Sequence, residues 1–398
     1  MKPRVVRLHR AWSFYRRDGA VELSSYGTRR VMTLSNGPVD QVVRALDVLV
    51  DGVPVDSAAA AVGEASGLPV AAASKLVKTL LERGVLLNAS PDSLHDDDSI
   101  YDRHIKFFEL FERPGVSGED LHRRLQESTV VIPGLGGAGT WIALECARMG
   151  IRNIIGIDSD IVEASNLGRQ VLYTHDDVGK YKVDVCRDKV AGVDDRVNFD
   201  GRRVWIESYR DLIPHLENAD FIFNTFSYTM RVVDTADYAS SIALAALATN
   251  TASLPATTSW IGPFNVPGQT ACLYCVSLAF DVTSALQRSY PIRQDRAGRM
   301  LPRIVATASL AVWEMVRHVS GMDWSRTHDG VVALDTMGYE HFGFTPIARN
   351  PDCPWCGDSV WSSDGRWTPA ALPELPWKVR SEAEGFSGHP AEPQPVAV

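Results

Sequence analysis

The run from Thr129 to Lys182 constrains this chain most. Thr129-Val130-Val131-Ile132 reads as a buried strand, Trp141 to Met149 repeats its apolar positions at helical spacing, and Gly134-Leu135-Gly136-Gly137-Ala138-Gly139 lies between them. A glycine-rich strand-to-helix turn lets backbone pass close to phosphate, and the following helix offers unpaired N–H groups and the positive end of its dipole. Gly134, Gly136, Gly137 and Gly139 are therefore candidate phosphate-cradling residues. The expected fold is α/β, a doubly wound Rossmann-like sheet. Asn153 to Ile157 supplies a second strand ending at Asp158, where a carboxylate can accept from both ribose hydroxyls. To this point a nicotinamide, a flavin or ATP fits equally.

The series that follows discriminates. It runs Asp158-Ser159-Asp160-Ile161-Val162-Glu163-Ala164-Ser165-Asn166-Leu167-Gly168-Arg169-Gln170, and then Val178-Gly179-Lys180-Tyr181-Lys182. Hydride transfer calls for nothing of this kind. The series resembles the nucleotide site of the ubiquitin-activating-enzyme superfamily, whose bacterial members include the ThiF and MoeB sulfur-carrier adenylyltransferases. The resemblance implies ATP as the nucleotide, with Asp158 on the ribose and Asn166, Arg169, Gln170 and Lys182 orienting the triphosphate. Arg169 and Lys182 would meet charge developing at the attacked α-phosphorus, which makes them catalytic candidates.

Upstream, Tyr101-Asp102-Arg103-His104 resembles the short element that precedes the nucleotide domain in this superfamily. Arg103 would then be an arginine finger acting in the partner's site, which implies a homodimer. Asn166 to Lys182 and Gly262-Pro263-Phe264-Asn265-Val266-Pro267-Gly268-Gln269-Thr270-Ala271-Cys272 resemble the microcin C-type (MccB) peptide adenylyltransferases more than the sulfur-carrier enzymes. That narrower likeness implies attack on ATP by the carboxyl group of a ribosomal precursor peptide, giving an acyl-adenylate and pyrophosphate. The alternatives are adenylylation of the Gly-Gly terminus of a sulfur-carrier protein, and a catalytically silent peptide-binding homologue.

One departure favours the silent alternative. After the strand Asp220 to Phe223 the family places an aspartate that helps hold Mg2+, and here Ser227 occupies that position. A serine lacks the charge to neutralise magnesium. Asp160, Asp234 and Asp237 are the nearest acids in sequence, and Asp160 is the one expected on the phosphate side.

The cysteines carry an independent signal. Cys272-Leu273-Tyr274-Cys275 is answered by Cys353-Pro354-Trp355-Cys356, two knuckles that together make a closed four-thiolate site for structural Zn2+. Cys146 and Cys186 fall within helical patterns and read as core thiols. No cysteine lies between Cys186 and Cys272, which disfavours covalent relay through a thioester.

Ahead of this unit, residues 1–90 carry strand-like alternation over Val21 to Leu34 with Gly27 as the turn. Helical stretches follow near Asp40 to Val50, Ser57 to Ser66 and Ala71 to Arg83, and Gly84 to Leu87 reads as a wing strand. The pattern predicts a small winged-helix module, which can clamp a peptide, read DNA or stabilise a dimer. Its twelve Lys or Arg against eight Asp or Glu are too slight an excess for a phosphate-binding surface, so no nucleic-acid partner is expected. Placed before an adenylylating domain, the module resembles leader-peptide-recognition elements of enzymes that modify ribosomal peptides. Residues 91–100 read as a linker, 101–360 as the adenylylating domain and 361–398 as a Pro-rich tail. Asp281 to Met300, with Arg288, Arg293, Arg296 and Arg299, is placed like the superfamily's crossover loop, and Arg303 to Val319 reads as a core helix. No signal peptide or eighteen-residue apolar run is visible in a chain of net charge −9, so a cytoplasmic protein with no membrane partner is expected.

Overall fold

The computed structural model describes residues 4–26, 31–34, 38–89, 100–206, 208–225, 232–257, 260–279, 300–322, 326–334 and 343–370. Ser227, the arginine-bearing segment before Met300 and residues 371–398 lie outside the described residues, as do the side chains of Asp234 and Asp237.

The N-terminal module contains two three-stranded sheets. In one, β1 (Val5–Leu8) pairs antiparallel with β5 (Val53–Pro54) and β6 (Leu86–Ala89). In the other, β2 (Trp12–Arg17), β3 (Ala20–Ser25) and β4 (Val31–Leu34) form a meander. The expected hairpin is β3–β4, with Val21 opposite Leu34. Strand β2 is an addition, and its turn had a readable signal: Asp18 and Gly19 both take positive φ, the Asp-Gly pairing that suits a tight hairpin. Helices α1 (Val39–Asp47), α2 (Ala58–Ser66) and α3 (Val70–Glu82) cover the sheets. Val6, Leu23, Leu46, Val62, Ala73 and Leu80 meet in one core, so the module buries its own apolar faces.

Helices α4 (Asp102–Phe108) and α5 (Gly118–Glu127) lead into an eight-stranded sheet. Strands β7 (Thr129–Pro133), β8 (Asn153–Ile157), β9 (Asn198–Arg202), β10 (Phe221–Thr225) and β11 (Ala252–Ala256) are parallel. Strands β12 (Trp260–Ile261), β13 (Gly330–Ala333) and β14 (Phe344–Pro346) continue the sheet antiparallel. The order β14-β13-β12-β11-β10-β7-β8-β9 places a topological switch point between β7 and β10, where α/β sheets open a crevice for ligands.

Alternation along β7 shows how the faces are filled. Val130 and Ile132 join the core under α6 (Gly137–Arg148) and α7 (Lys182–Ala191), whereas Val131 joins the opposite core. That second core receives Leu212 of α8 (Tyr209–Leu212) and Ile242 of α9 (Val232–Thr249). After α10 (Leu273–Ala279), the long α11 (Leu301–Ser320) packs on the first face beside α6 and supplies Ala308, Ala311 and Met315. It occupies the helix expected over Arg303 to Val319. Among the described residues no helix is long and apolar enough to cross a membrane.

Candidate active site

The glycine-rich turn leaves β7 at Gly134, whose φ of 82° is a left-handed conformation that favours glycine. Its N–H donates to the Ile157 carbonyl at 2.7 Å. Five residues on, a Cβ at Gly139 would fall on the Gly134 carbonyl oxygen, so only glycine lets α6 start this close to the strand. Gly136 precedes α6 without a side-chain cap, which leaves the first helical N–H groups for a ligand.

Asp158 lies beside this turn and does more than the sequence suggests. Its carboxylate accepts from the N–H of Leu135 at 2.7 Å and of Asp160 at 2.9 Å, so it ties the β8 end to the glycine turn. Burial pushes its carboxyl above the ordinary range, and the ammonium of Lys182 works in the opposite direction.

Lys182 comes from twenty-four residues further on, and backbone pairing brings it back. Ile161 and Tyr181 form an antiparallel bridge, and the Lys182 N–H donates to the Asp160 carbonyl at 3.0 Å. Nζ of Lys182 then sits 2.8 Å from Asp160 Oδ2 and 3.7 Å from Asp158 Oδ2. Between these points the excursion is stitched by two capped turns, Glu163 to Asn166 and Thr174 to Asp177. Asn166 spends its side-chain oxygen on the Glu163 N–H at 3.1 Å, an unforeseen structural use of that residue.

Arg169 and Gln170 follow. Arg169 donates to the Ser165 carbonyl at 2.7 Å, and its Cδ lies 3.9 Å from where a Gly137 Cβ would be. Gln170 is 3% exposed, with Nε2 at the corresponding distance from Gly136. Among the described residues the buried atoms Arg169 Nε and Gln170 Oε1 have no hydrogen-bond partner. Such groups are costly to leave unsatisfied, and their position against the glycine turn fits a polar ligand bound there.

Two contributors were not foreseen. Tyr173 donates from its hydroxyl to the Leu135 carbonyl at 2.8 Å and braces the turn from below. Asn224, fully buried at the end of β10, donates to the Ala239 carbonyl at 3.0 Å, while its Oδ1 has no partner among the described residues. Asn224 was legible as the one polar residue directly after the apolar run Phe221 to Phe223.

Arg103 is not gathered into this cluster. It stands on α4 with a side chain 90% exposed, 3.8 Å from Asp102. Its neighbour Tyr101 is the anchored member of that motif: its ring packs on Gly150, its hydroxyl bonds Asp194, and the Arg196 guanidinium lies over the ring.

The cysteines converge as expected. Cys272, Cys275, Cys353 and Cys356 are buried, with their Sγ atoms all within 4.8 Å of one another. A tetrahedral zinc site with Zn–S bonds of about 2.3 Å separates sulfurs by about 3.8 Å. The observed separations are 3.8 Å for Cys272–Cys353, 4.0 Å for Cys272–Cys275 and 3.5 Å for Cys275–Cys356, so the four residues can hold zinc. Trp361 and Trp367, at the start of the expected Pro-rich tail, bridge to each other and donate to the carbonyls of Cys356 and Trp355. Cys146 and Cys186 are buried core thiols whose pKa values burial raises.

Residues 101–355 match the ThiF family. The chain belongs to the ThiF family. It is an ATP-dependent adenylyltransferase. Among curated ThiF-family relatives, the sulfur carrier protein ThiS adenylyltransferase of Bacillus subtilis is 28% identical over 63% of this chain and 70% of its own. The corresponding Escherichia coli enzyme is 26% identical over 60% and 90%. Among solved structures, E. coli MccB with ATP aligns with a TM-score of 0.68 at 20% identity, covering 89% of this chain and all of that one. PaaA aligns at 0.63 and 21% identity, covering 85% and 99%.

Proposed function

We propose that this enzyme adenylylates a carboxylate of a ribosomally made peptide presented by its N-terminal module. The observation that carries this reading is the extent of the likeness. The ThiS adenylyltransferases use 70–90% of their own length to span 60–63% of this chain, whereas MccB spans 89% of it. An 89% coverage exceeds what residues 101–398 alone could supply, so the MccB superposition reaches into the module ahead of residue 101, which supports the peptide reading. MccB has been solved with ATP and with N-formylated MccA.

On this reading the first N–H groups of α6 and the glycine turn bind phosphate, and Asp158 faces the ribose. Lys182 and Arg169 provide cationic charge at the triphosphate. A peptide carboxylate oxygen attacks the α-phosphorus, and the bond to the bridging oxygen breaks. Pyrophosphate departs with the electron pair, and no proton needs to move. Magnesium would neutralise phosphate charge, and Asp160 is the residue here that would hold it. Arg103, exposed on α4, would complete the site of a second copy. Four cysteine thiolates would hold a structural zinc.

The test is trapping of the acyl-adenylate with hydroxylamine in the presence of ATP. The reading expects a hydroxamate on a precursor peptide encoded beside this enzyme and none on a Gly-Gly carrier. A hydroxamate on the carrier alone would replace it with the sulfur-carrier reading. ATP binding without hydroxamate on either would point to a silent homologue, for which Ser227 is the sequence argument.

A further inference from the structure

The N-terminal module is seated on the catalytic domain through buried charge, not through the linker alone. Arg7, on β1, is 1% exposed, and Nη2 lies 2.5 Å from Glu112 Oε2 in the segment between α4 and α5. The other Glu112 oxygen accepts the Gly118 N–H at 3.0 Å, at the first residue of α5. His9 adds a second, directional contact. The Ala11 N–H donates to His9 Nδ1 at 3.0 Å, so the ring proton sits on Nε2, which donates to the Glu112 carbonyl at 3.1 Å. Arg10 lies 3.3 Å from Glu109, whose side chain is 2% exposed.

A buried ion pair of this kind adds little stability over an apolar contact of the same shape, because desolvation offsets the Coulomb attraction. It does add geometry. The pair, the capped α5 and the fixed imidazole permit one orientation of β1 against α5, and α5 runs directly into β7 and the phosphate turn. Gly118 tightens the joint, since a Cβ there would meet the Glu109 backbone N at 2.8 Å.

We infer that Arg7 and Glu112 are positioning residues: they fix the peptide-binding module at a set distance and angle from the nucleotide site, so that a peptide held by the module presents its carboxylate to ATP. This rests on the peptide reading above. A module on a loose tether would bind the same peptide equally well yet present it productively for a smaller share of the time. The pair should therefore act on turnover and not on affinity.

The test uses the full-length chain with Arg7→Met, and Arg7→Lys as the conservative variant. Without any substrate, hydrogen exchange of peptides covering 109–121 should accelerate in Arg7→Met while 129–160 stays protected. With a precursor peptide, kcat for pyrophosphate exchange should fall about tenfold, with Kd for the peptide and KM for ATP unchanged. Exchange driven by a leaderless fragment of that peptide should not change, and Arg7→Lys should recover part of the loss. The inference is overturned if 109–121 keeps its protection, or if precursor and fragment are slowed alike or neither is. If no peptide supports exchange in the unaltered enzyme, the peptide reading fails, and the hydrogen-exchange result still decides whether the pair seats the module.

Discussion

Lys182 holds its ammonium 2.8 Å from Asp160 and 3.7 Å from Asp158, with 7% of its side chain exposed. One cation thus bridges an acid that clamps the glycine turn and an acid half open to solvent.

Replacing Lys182 by Met should cost catalysis and stability together. Exchange should fall by about 100-fold or more, and unfolding free energy by about 3 kcal/mol, because Asp158 is left buried without its cation. The pH dependence has a definite sign. Asp158 already titrates above its ordinary value of 3.8 because of burial, and losing Lys182 raises it further. A carboxyl with a raised folded pKa favours the folded state when protonated. The deficit should therefore be full above that raised pKa and shrink as pH falls through it toward 3.8. Urea titrations of both proteins across this range check it.

Gly139→Ala should abolish the ATP site without unfolding the domain. The added methyl falls on the Gly134 carbonyl, and relieving the overlap shifts α6 from the turn at a cost of about 1–3 kcal/mol. Calorimetric titration should lose ATP binding, while circular dichroism and zinc content stay as in the parent.

These two residues mark what a linear reading reaches. Gly134 to Gly139 and Asp158 to Lys182 were legible as a candidate site because they follow the ends of two neighbouring strands, β7 and β8, at short ordered intervals. The clamp by Asp158 on Leu135 N–H and the use of Asn166 as a turn cap were not, since a residue type and its position do not say which donor it meets. Arg7 and Glu112 lie 105 residues apart and meet only once both modules have folded. Cys272 and Cys353 are almost as distant, yet their CxxC spacing gave them away.

Metal removal should separate the zinc knuckle from the nucleotide site. One zinc per chain is expected by elemental analysis, and Cys353→Ser should lose it. With Cys353 drawn into the site 3.8 Å from Cys272, its loss unties the C-terminal strands and lowers the melting temperature by roughly 5 °C or more. A protein that keeps full stability in a strong chelator would refute this.

Arg103→Ala should leave folding unchanged, because the side chain is 90% exposed, and lower exchange about 100-fold. If it acts across a dimer, co-expressing Arg103→Ala with Arg169→Ala should restore activity that neither variant has alone. Mixed chains that stay inactive would rule out action in the partner's site.

Tyr101→Phe should destabilise the catalytic domain by about 1–2 kcal/mol, since the phenol bonds the buried Asp194. Arg196 and Tyr101 hold the Asp194 carboxyl well below the usual carboxylate range. Its contribution is present above the unfolded pKa near 3.8 and is lost as pH falls through the folded one. The difference between Tyr101→Phe and the parent should accordingly vanish in acid.

Activation of a peptide carboxylate by this ThiF-family enzyme is tested by pyrophosphate exchange into ATP. Exchange should depend on a short precursor peptide, be absent with a Gly-Gly carrier, and be abolished by Arg169→Ala. Exchange with the carrier alone, or none with any acceptor while ATP binds, would contradict it.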